Sequence, residues 1–139
     1  MKENEPIPMV LNKIKIDENK NEQIIVLKER DGARFLPVVI GIAEVNAIKM
    51  KLSGIEPPRP LTHDLLLGTI QQLGGRLKEI HIDRLENNTF YAKLVLSANG
   101  SGEIKIDARP SDSVALALRA GAPIFVDEEV LSEAGMSEL

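Results

Sequence analysis

Two stretches of the chain gather residue types that can bind and cleave phosphate esters, Arg59-Pro60-Leu61-Thr62-His63-Asp64 and Arg109-Pro110-Ser111-Asp112. Each sets an arginine beside a proline, adds a hydroxyl and an aspartate, and leads into an apolar run of helical spacing. A helix start exposes unpaired backbone N–H groups at the positive end of its dipole. An arginine beside one makes a cradle for phosphate, and an aspartate there can hold a cation or orient a water. His63 falls in the first turn, in position to serve as a general base or a metal ligand.

Ordinary helix capping accounts for much of the same pattern. Thr62 reads as an N-cap, Asp64 just inside complements the dipole, and Leu61 with Leu66 fits a hydrophobic staple. Pro110 and Asp112 are equally at home at a helix start. Arg59 and His63 are the residues that capping does not need, and Arg109 is the counterpart of the first. His81 and Asp83 lie on one face of a strand, but two ligands fall short of the about three protein groups of a catalytic metal site, so solvated partners are expected there.

The elements that must carry these residues follow from periodicity. Residues 10–16, 23–28 and 35–40 read as strands, with the turn DENKNE after the first and Asp31-Gly32 after the second. Pro37 confines its strand to an edge or a bulge. Ile42, Val45, Ile48 and Leu52 mark a helix closed by Gly54, and Leu65, Leu66, Thr69, Ile70 and Leu73 a second, stopped by Gly74-Gly75. Residues 76–85 and 89–98 pair across Asn87-Asn88, and after Asn99-Gly100-Ser101-Gly102 comes a strand at 103–107. A helix at 110–120, a short strand at 123–126 and helical turns at 127–134 complete the chain. The order βββ-αα-βββ-α-β-α segregates strands from helices. It predicts an α+β fold with a largely antiparallel mixed sheet and three to four helices.

A chain of 139 residues fits one domain, here residues 9–139 behind a loose, proline-bearing lead-in at 1–8. The absence of cysteine removes thiolate nucleophiles and Cys-based metal sites, so any metal must use His and carboxylates. The amino terminus has no apolar targeting core, and no run approaches the roughly 18 apolar residues of a membrane span, so a cytoplasmic protein without a membrane partner is expected. A net charge of −4 and only four aromatic residues, Phe35, Phe90, Tyr91 and Phe125, weigh against nonspecific attraction to nucleic acid and against a base-stacking platform.

Taken together, several separated motifs resemble the bifunctional nuclease domain family. They are Ile40-Gly41 with Glu44 and Ala47-Ile48, Arg59 to Leu65, Asn88-Thr89-Phe90-Tyr91-Ala92, Asp107 to Ser113, and Ala122-Pro123-Ile124-Phe125-Val126, spread over about residues 9 to 131. The matching polar positions are Glu44, Arg59, Thr62, His63, Asp64, Asp107, Arg109, Ser111 and Asp112; Ala108 departs from a serine common in the family. The resemblance implies a dimeric α+β protein with nuclease activity on DNA, RNA or both. On that footing Arg59, Arg109 and Ser111 bind the phosphate, and His63 is the general base, acting with Asp64 and Asp112. Asp64 and Asp112 with Glu44 hold magnesium or another divalent cation. The alternative is a non-catalytic module that uses the same groups to dock an anionic ligand or a partner. Under either reading a homodimer is expected, through the proline-bearing edge strand and the apolar hairpin.

Overall fold

β-branched and aliphatic residues two apart set the strands of the amino-terminal third, β1 (Ile7–Asp17), β2 (Glu22–Glu29) and β3 (Phe35–Ile40). The computed structural model describes residues 5–17, 19, 22–100 and 102–138. The turn read at 17–22, the Ser101 turn position and the first half of the lead-in therefore fall wholly or partly outside the described residues. Helices α1 (Ile42–Leu52) and α2 (Thr62–Gln72) follow, then strands β4 (Gly75–Glu86), β5 (Thr89–Ala98) and β6 (Gly102–Ala108). Helix α3 (Pro110–Ala120), strand β7 (Ile124–Val126) and helix α4 (Glu128–Ala134) close the chain. This is the expected element order.

The seven strands form one sheet in the order β3-β2-β1-β7-β4-β5-β6, antiparallel except for β4 against β7. Asn87 and Asn88 both take positive φ, 51° and 62°, the conformation a tight turn between β4 and β5 requires and asparagine tolerates. β1 starts earlier than the expected lead-in allows. Ile7 and Pro8 already pair with Val126 and Phe125 of β7, and the Pro8 carbonyl accepts the Arg30 N–H at 2.9 Å. The short β7 strand supplies the partner that makes these two residues strand.

Pro37 does lie on an edge strand, as its missing donor demands. Phe35 exchanges both of its backbone hydrogen bonds with Met136, at 2.7 and 2.8 Å, so this edge is bridged at one end. Two residues on, Pro37 presents its donorless nitrogen to the same side. Strand β6 forms the other edge.

One face of the sheet and the helices enclose a single core in which Ile25, Leu27, Leu36, Ile80, Ile82 and Leu116 are fully buried. Each such side chain contributes about 1.5–3 kcal/mol of burial free energy. Helix α3 lies deepest. Ser113, Val114, Ala115, Leu116 and Ala117 are all buried, their mostly small side chains letting α1, α2 and the sheet approach closely. The buried Ser113 hydroxyl is satisfied by donating to the Arg109 carbonyl at 2.9 Å.

Helix α2 turns differently from the expected amphipathic stripe. Leu67 is its one buried residue, with Ile70 packed partly against the core, whereas Leu65, Leu66 and Leu73 are 63%, 42% and 83% exposed. The inner row is His63, Leu67 and Ile70, three to four residues apart. That rotation is what carries His63 inward.

A charged clamp pins the carboxy-terminal helix to the β2–β3 turn. Arg34 binds Glu29 through Nε at 2.8 Å and Glu128 of α4 through Nη1 at 2.8 Å. Hydrogen bonds from Arg34 hold the Glu29 and Glu128 carboxyls below their ordinary values, against the opposing effect of burial. A lowered carboxyl contributes stability that is present above the ordinary glutamate value, about 4.3, and is lost as pH falls through the folded value. Arg34→Ala is expected to cost about 1 kcal/mol in urea denaturation at neutral pH, discounted because the pair is about one-third exposed. The deficit should shrink as pH falls below about 4; an equal deficit at both pH values contradicts the assignment.

Candidate functional site

The three carboxylates singled out in the sequence share one structural position. The N-caps of α1, α2 and α3 are Gly41, Leu61 and Arg109, which places Glu44, Asp64 and Asp112 each three residues inside its helix, at N3. An acid at N3 can reach back to the N-cap N–H and complements the dipole. In α2 it does so, the Leu61 N–H donating to Asp64 Oδ2 at 2.9 Å. Leu61 has no side-chain acceptor, so only this arm of a capping box forms.

The helix start of α2 therefore lies one residue earlier than expected. Leu61, and not Thr62, is the N-cap, and His63 is at N2. The physical reason is Asp64, whose backward reach fixes the cap three residues before it. At α1 the cap is a glycine for a spatial reason: a Cβ on Gly41 would lie 2.6 Å from Glu44 Oε2. The carboxylate folds back over the helix start into the room that glycine leaves.

Each N3 acid is gripped by a basic group from another element. His63 Nε2 lies 2.9 Å from Asp112 Oδ1, joining the two helix entrances. Arg109 Nε and Nη2 bind Asp112 Oδ2 at 3.0 and 2.9 Å, and Nη2 also reaches Glu44 Oε1 at 2.7 Å. These acids hold the Arg109 proton more firmly than usual, Asp112 most, outweighing burial. The result is a chain Glu44–Arg109–Asp112–His63 running across the starts of α1, α3 and α2. Glu44 is buried and the His63 side chain is 12% exposed, whereas that of Arg109 is 68% exposed, so both ends of the chain are sheltered and it meets the surface at Arg109.

Asp64 faces a different partner. Arg119, near the end of α3, donates through Nε to Asp64 Oδ1 at 2.7 Å and through Nη1 and Nη2 to the carbonyls of Ala115 and Ala47, both at 3.1 Å. Its side chain is only 6% exposed. Burial alone would raise the Asp64 carboxyl. The Leu61 N–H, the Arg119 guanidinium and the nearby His63 outweigh it and hold the group below its ordinary value. Thus α2 gives His63 to the N3 aspartate of α3, and α3 gives Arg119 to the N3 aspartate of α2. Arg119 is the site residue that the sequence reading missed. Its signal was the single arginine at the end of an otherwise small and apolar helix.

The remaining candidates are dispersed. His63, Arg109 and Asp112 line a depression of about 430 Å³ with Leu66, Ile106 and Ala108. Arg59 lines another, of about 420 Å³, beside Asp64, Arg119 and Gln71. Ser111, buried at 6% exposure, borders a third with Arg109 and Pro37. Thus His63, Asp112, Arg109 and Glu44 come together, while Arg59 and Ser111 do not share the depression that holds His63.

The expected divalent-cation trio meets an arrangement that does not suit a cation. Arg109 bridges Glu44 and Asp112, Arg119 occupies Asp64, and among the described residues no three of His, Cys, Asp and Glu gather to hold a metal ion. A divalent ion would compete with two guanidinium groups for the same oxygens. On the opposite face of the sheet, His81 stacks near Phe125 with ring centroids 5.6 Å apart and lies 3.7 Å from Asp127 and 3.9 Å from Glu79. Asp83 pairs with Lys93 at 3.6 Å, but His81 Nε2 and Asp83 Oδ1 are shielded from solvent without a hydrogen-bond partner among the described residues, so the two are not the solvated partners expected. Burial, helped by the neighbouring acids Asp83 and Glu129, raises the Asp127 carboxyl despite His81.

The architecture defines a single-sheet α+β protein whose polar site is built from the first turns of three helices. The bifunctional nuclease domain pattern matches residues 25–138, and the chain belongs to that family. A Mycobacterium tuberculosis protein described as uncharacterized is 49% identical over 88% of this chain and 73% of its own length. A protein of Oryza sativa subsp. japonica named bifunctional nuclease 1 is 25% identical over 88% of this chain and 38% of its own length. One of the same name from Arabidopsis thaliana is 26% identical over 81% of this chain and 35% of its own length. The chain thus matches little more than a third of each plant protein.

Proposed function

We propose that this chain is a phosphodiesterase acting on DNA or RNA, with His63 as general base, Asp112 as its orienting partner and Arg109 as the phosphate-facing cation. The observation that carries the proposal is the 2.9 Å contact between His63 Nε2 and Asp112 Oδ1 at the wall of an open depression. A carboxylate only accepts hydrogen bonds, so Nε2 carries the proton, and in the neutral form of the ring the lone pair is on Nδ1. Nδ1 accepts a proton from the attacking hydroxyl or water as its oxygen bonds to phosphorus. The exposed flank of Arg109 neutralises charge on the non-bridging oxygens, and the departing sugar oxygen takes its proton from solvent.

A second reading has its own support. All three carboxylates are already matched by guanidinium groups or histidine, a balanced arrangement that suits a non-catalytic module docking an anionic ligand. Purified chain incubated with fluorescent single-stranded DNA and RNA, in EDTA and with added magnesium, separates the two. Cleavage that persists in EDTA and is diminished at least about tenfold by Asp112→Ala supports the acid–base reading. Strict magnesium dependence would assign Glu44, Asp64 and Asp112 to a cation after displacement of the arginines. Oligonucleotide binding by calorimetry without turnover selects the docking module.

A further inference from the structure

Strand β6 is the open edge of the sheet. Its opposite number, β3, is bridged by Met136 at one end and interrupted by Pro37, so the edge the sequence favoured for pairing offers the shorter run of free backbone. Along β6 every residue from 102 to 107 is exposed, including Ile104 at 43% and Ile106 at 42%. Both isoleucines face the helix side, because they lie opposite the core residues Leu96 and Leu94. Leu66 of α2, itself 42% exposed, lines the same depression as Ile106. An uncovered edge strand with an apolar side is a template for another strand.

The charges along Glu103-Ile104-Lys105-Ile106-Asp107-Ala108 select which strand fits. In an antiparallel pairing of β6 with itself, a two-fold axis at Lys105 sets Lys105 against Lys105 and Glu103 against Asp107. An axis at Asp107 sets Asp107 against itself and Lys105 against Arg109. An axis between residues places isoleucine opposite charge. An axis at Ile104 leaves Ile106 opposite Gly102, which has no side chain and a φ of 75°, outside the extended region. At Ile106 every neighbour agrees: Ile106 meets Ile106, Ile104 meets Ala108, and Lys105 meets Asp107 on both sides of the axis. Such cross-strand pairs are the unit that stabilises a sheet.

We propose that β6 pairs with β6 of a second copy of this chain about a two-fold axis through Ile106, making one continuous sheet. The pairing is isologous, the same surface serving both copies. It also bears on the site. Ile106, Ala108 and Arg109 line the depression that holds His63, so the partner's Ile104, set opposite Ala108, walls its open side.

Sedimentation or light scattering at micromolar concentration tests this. The chain is expected at twice the mass of one copy. Lys105→Glu alone and Asp107→Lys alone each set like charges together twice, and each is expected at single-chain mass, with an unchanged circular dichroism spectrum. Mixing these two variants restores an acid–base pair at every position, so the mixture should recover the doubled mass, as should the variant carrying both substitutions. A wild-type chain at single mass, single variants that stay paired, or a mixture that fails to pair overturns the proposal.

Discussion

Replacing His63 with alanine is expected to lower phosphodiester cleavage by about 10²- to 10⁴-fold, the usual contribution of a positioned general base. The fold should survive, because His63 lies at the first turn of α2 and the core below it is supplied by Leu67 and Ile70. The stronger diagnosis comes from Asp112→Asn. Asp112 Oδ2 accepts from Arg109, so an amide there turns its oxygen toward the guanidinium and its NH₂ toward His63. An amide donor forces the His63 lone pair onto Nε2 and moves the proton to Nδ1, where it blocks the base. Asp112→Asn is therefore expected to lose nearly as much rate as His63→Ala, with little change in packing. Rates on a labelled oligonucleotide, after chromatography that separates contaminating nucleases, provide the measurement. If His63→Ala cuts as fast as the parent, the general-base assignment is wrong.

The largest effect on stability is expected at Arg119. Its guanidinium is nearly inaccessible and ties Asp64 of α2 to carbonyls of α3 and α1. Arg119 is buried but Asp64 is 32% exposed and reaches water, so Arg119→Ala should cost about 2–3 kcal/mol in chemical denaturation at neutral pH, less than the loss from a pair buried at both ends. Arg119→Lys keeps the charge but cannot span three acceptors, so it should recover part of that loss. The pH dependence has a definite sign. Asp64 is held below its ordinary value, so its contribution is present above the ordinary aspartate value of about 3.9 and fades as pH falls through the folded value. The Arg119→Ala deficit should therefore shrink toward acid pH. A loss below about 1 kcal/mol at pH 7 would show that Asp64 and the two carbonyls find water as readily as arginine.

The order of elements was legible because periodicity, turn residues and proline positions agree throughout the chain. The rotation of α2 was not. Leu65, Leu66, Leu67, Ile70 and Leu73 surround that helix on more than one side, and the choice of inner face depends on what α3 and the sheet present to it. The site was half legible. Glu44, His63, Asp64, Arg109 and Asp112 stood out by type and position, but His63 and Asp112 are 49 residues apart, and no local pattern states that their helix starts meet. Arg119 was hidden because a basic residue in a last turn is ordinarily a dipole partner on the surface. Burial turned it into a cross-link.

The shared N3 position of Glu44, Asp64 and Asp112 has a dynamic consequence. Arg109 fastens the start of α1 to that of α3, Asp112 receives His63 from α2, and Arg119 closes the ring from α3 to Asp64 and the Ala47 carbonyl of α1. Fraying at any one of these first turns removes a bond that holds the next. The three helix starts are therefore expected to open as one cooperative unit, which hydrogen exchange would show as one shared opening free energy for their first-turn amides. Site assembly and helix docking become a single event, so a chain with the sheet formed but the helices undocked would have no site at all.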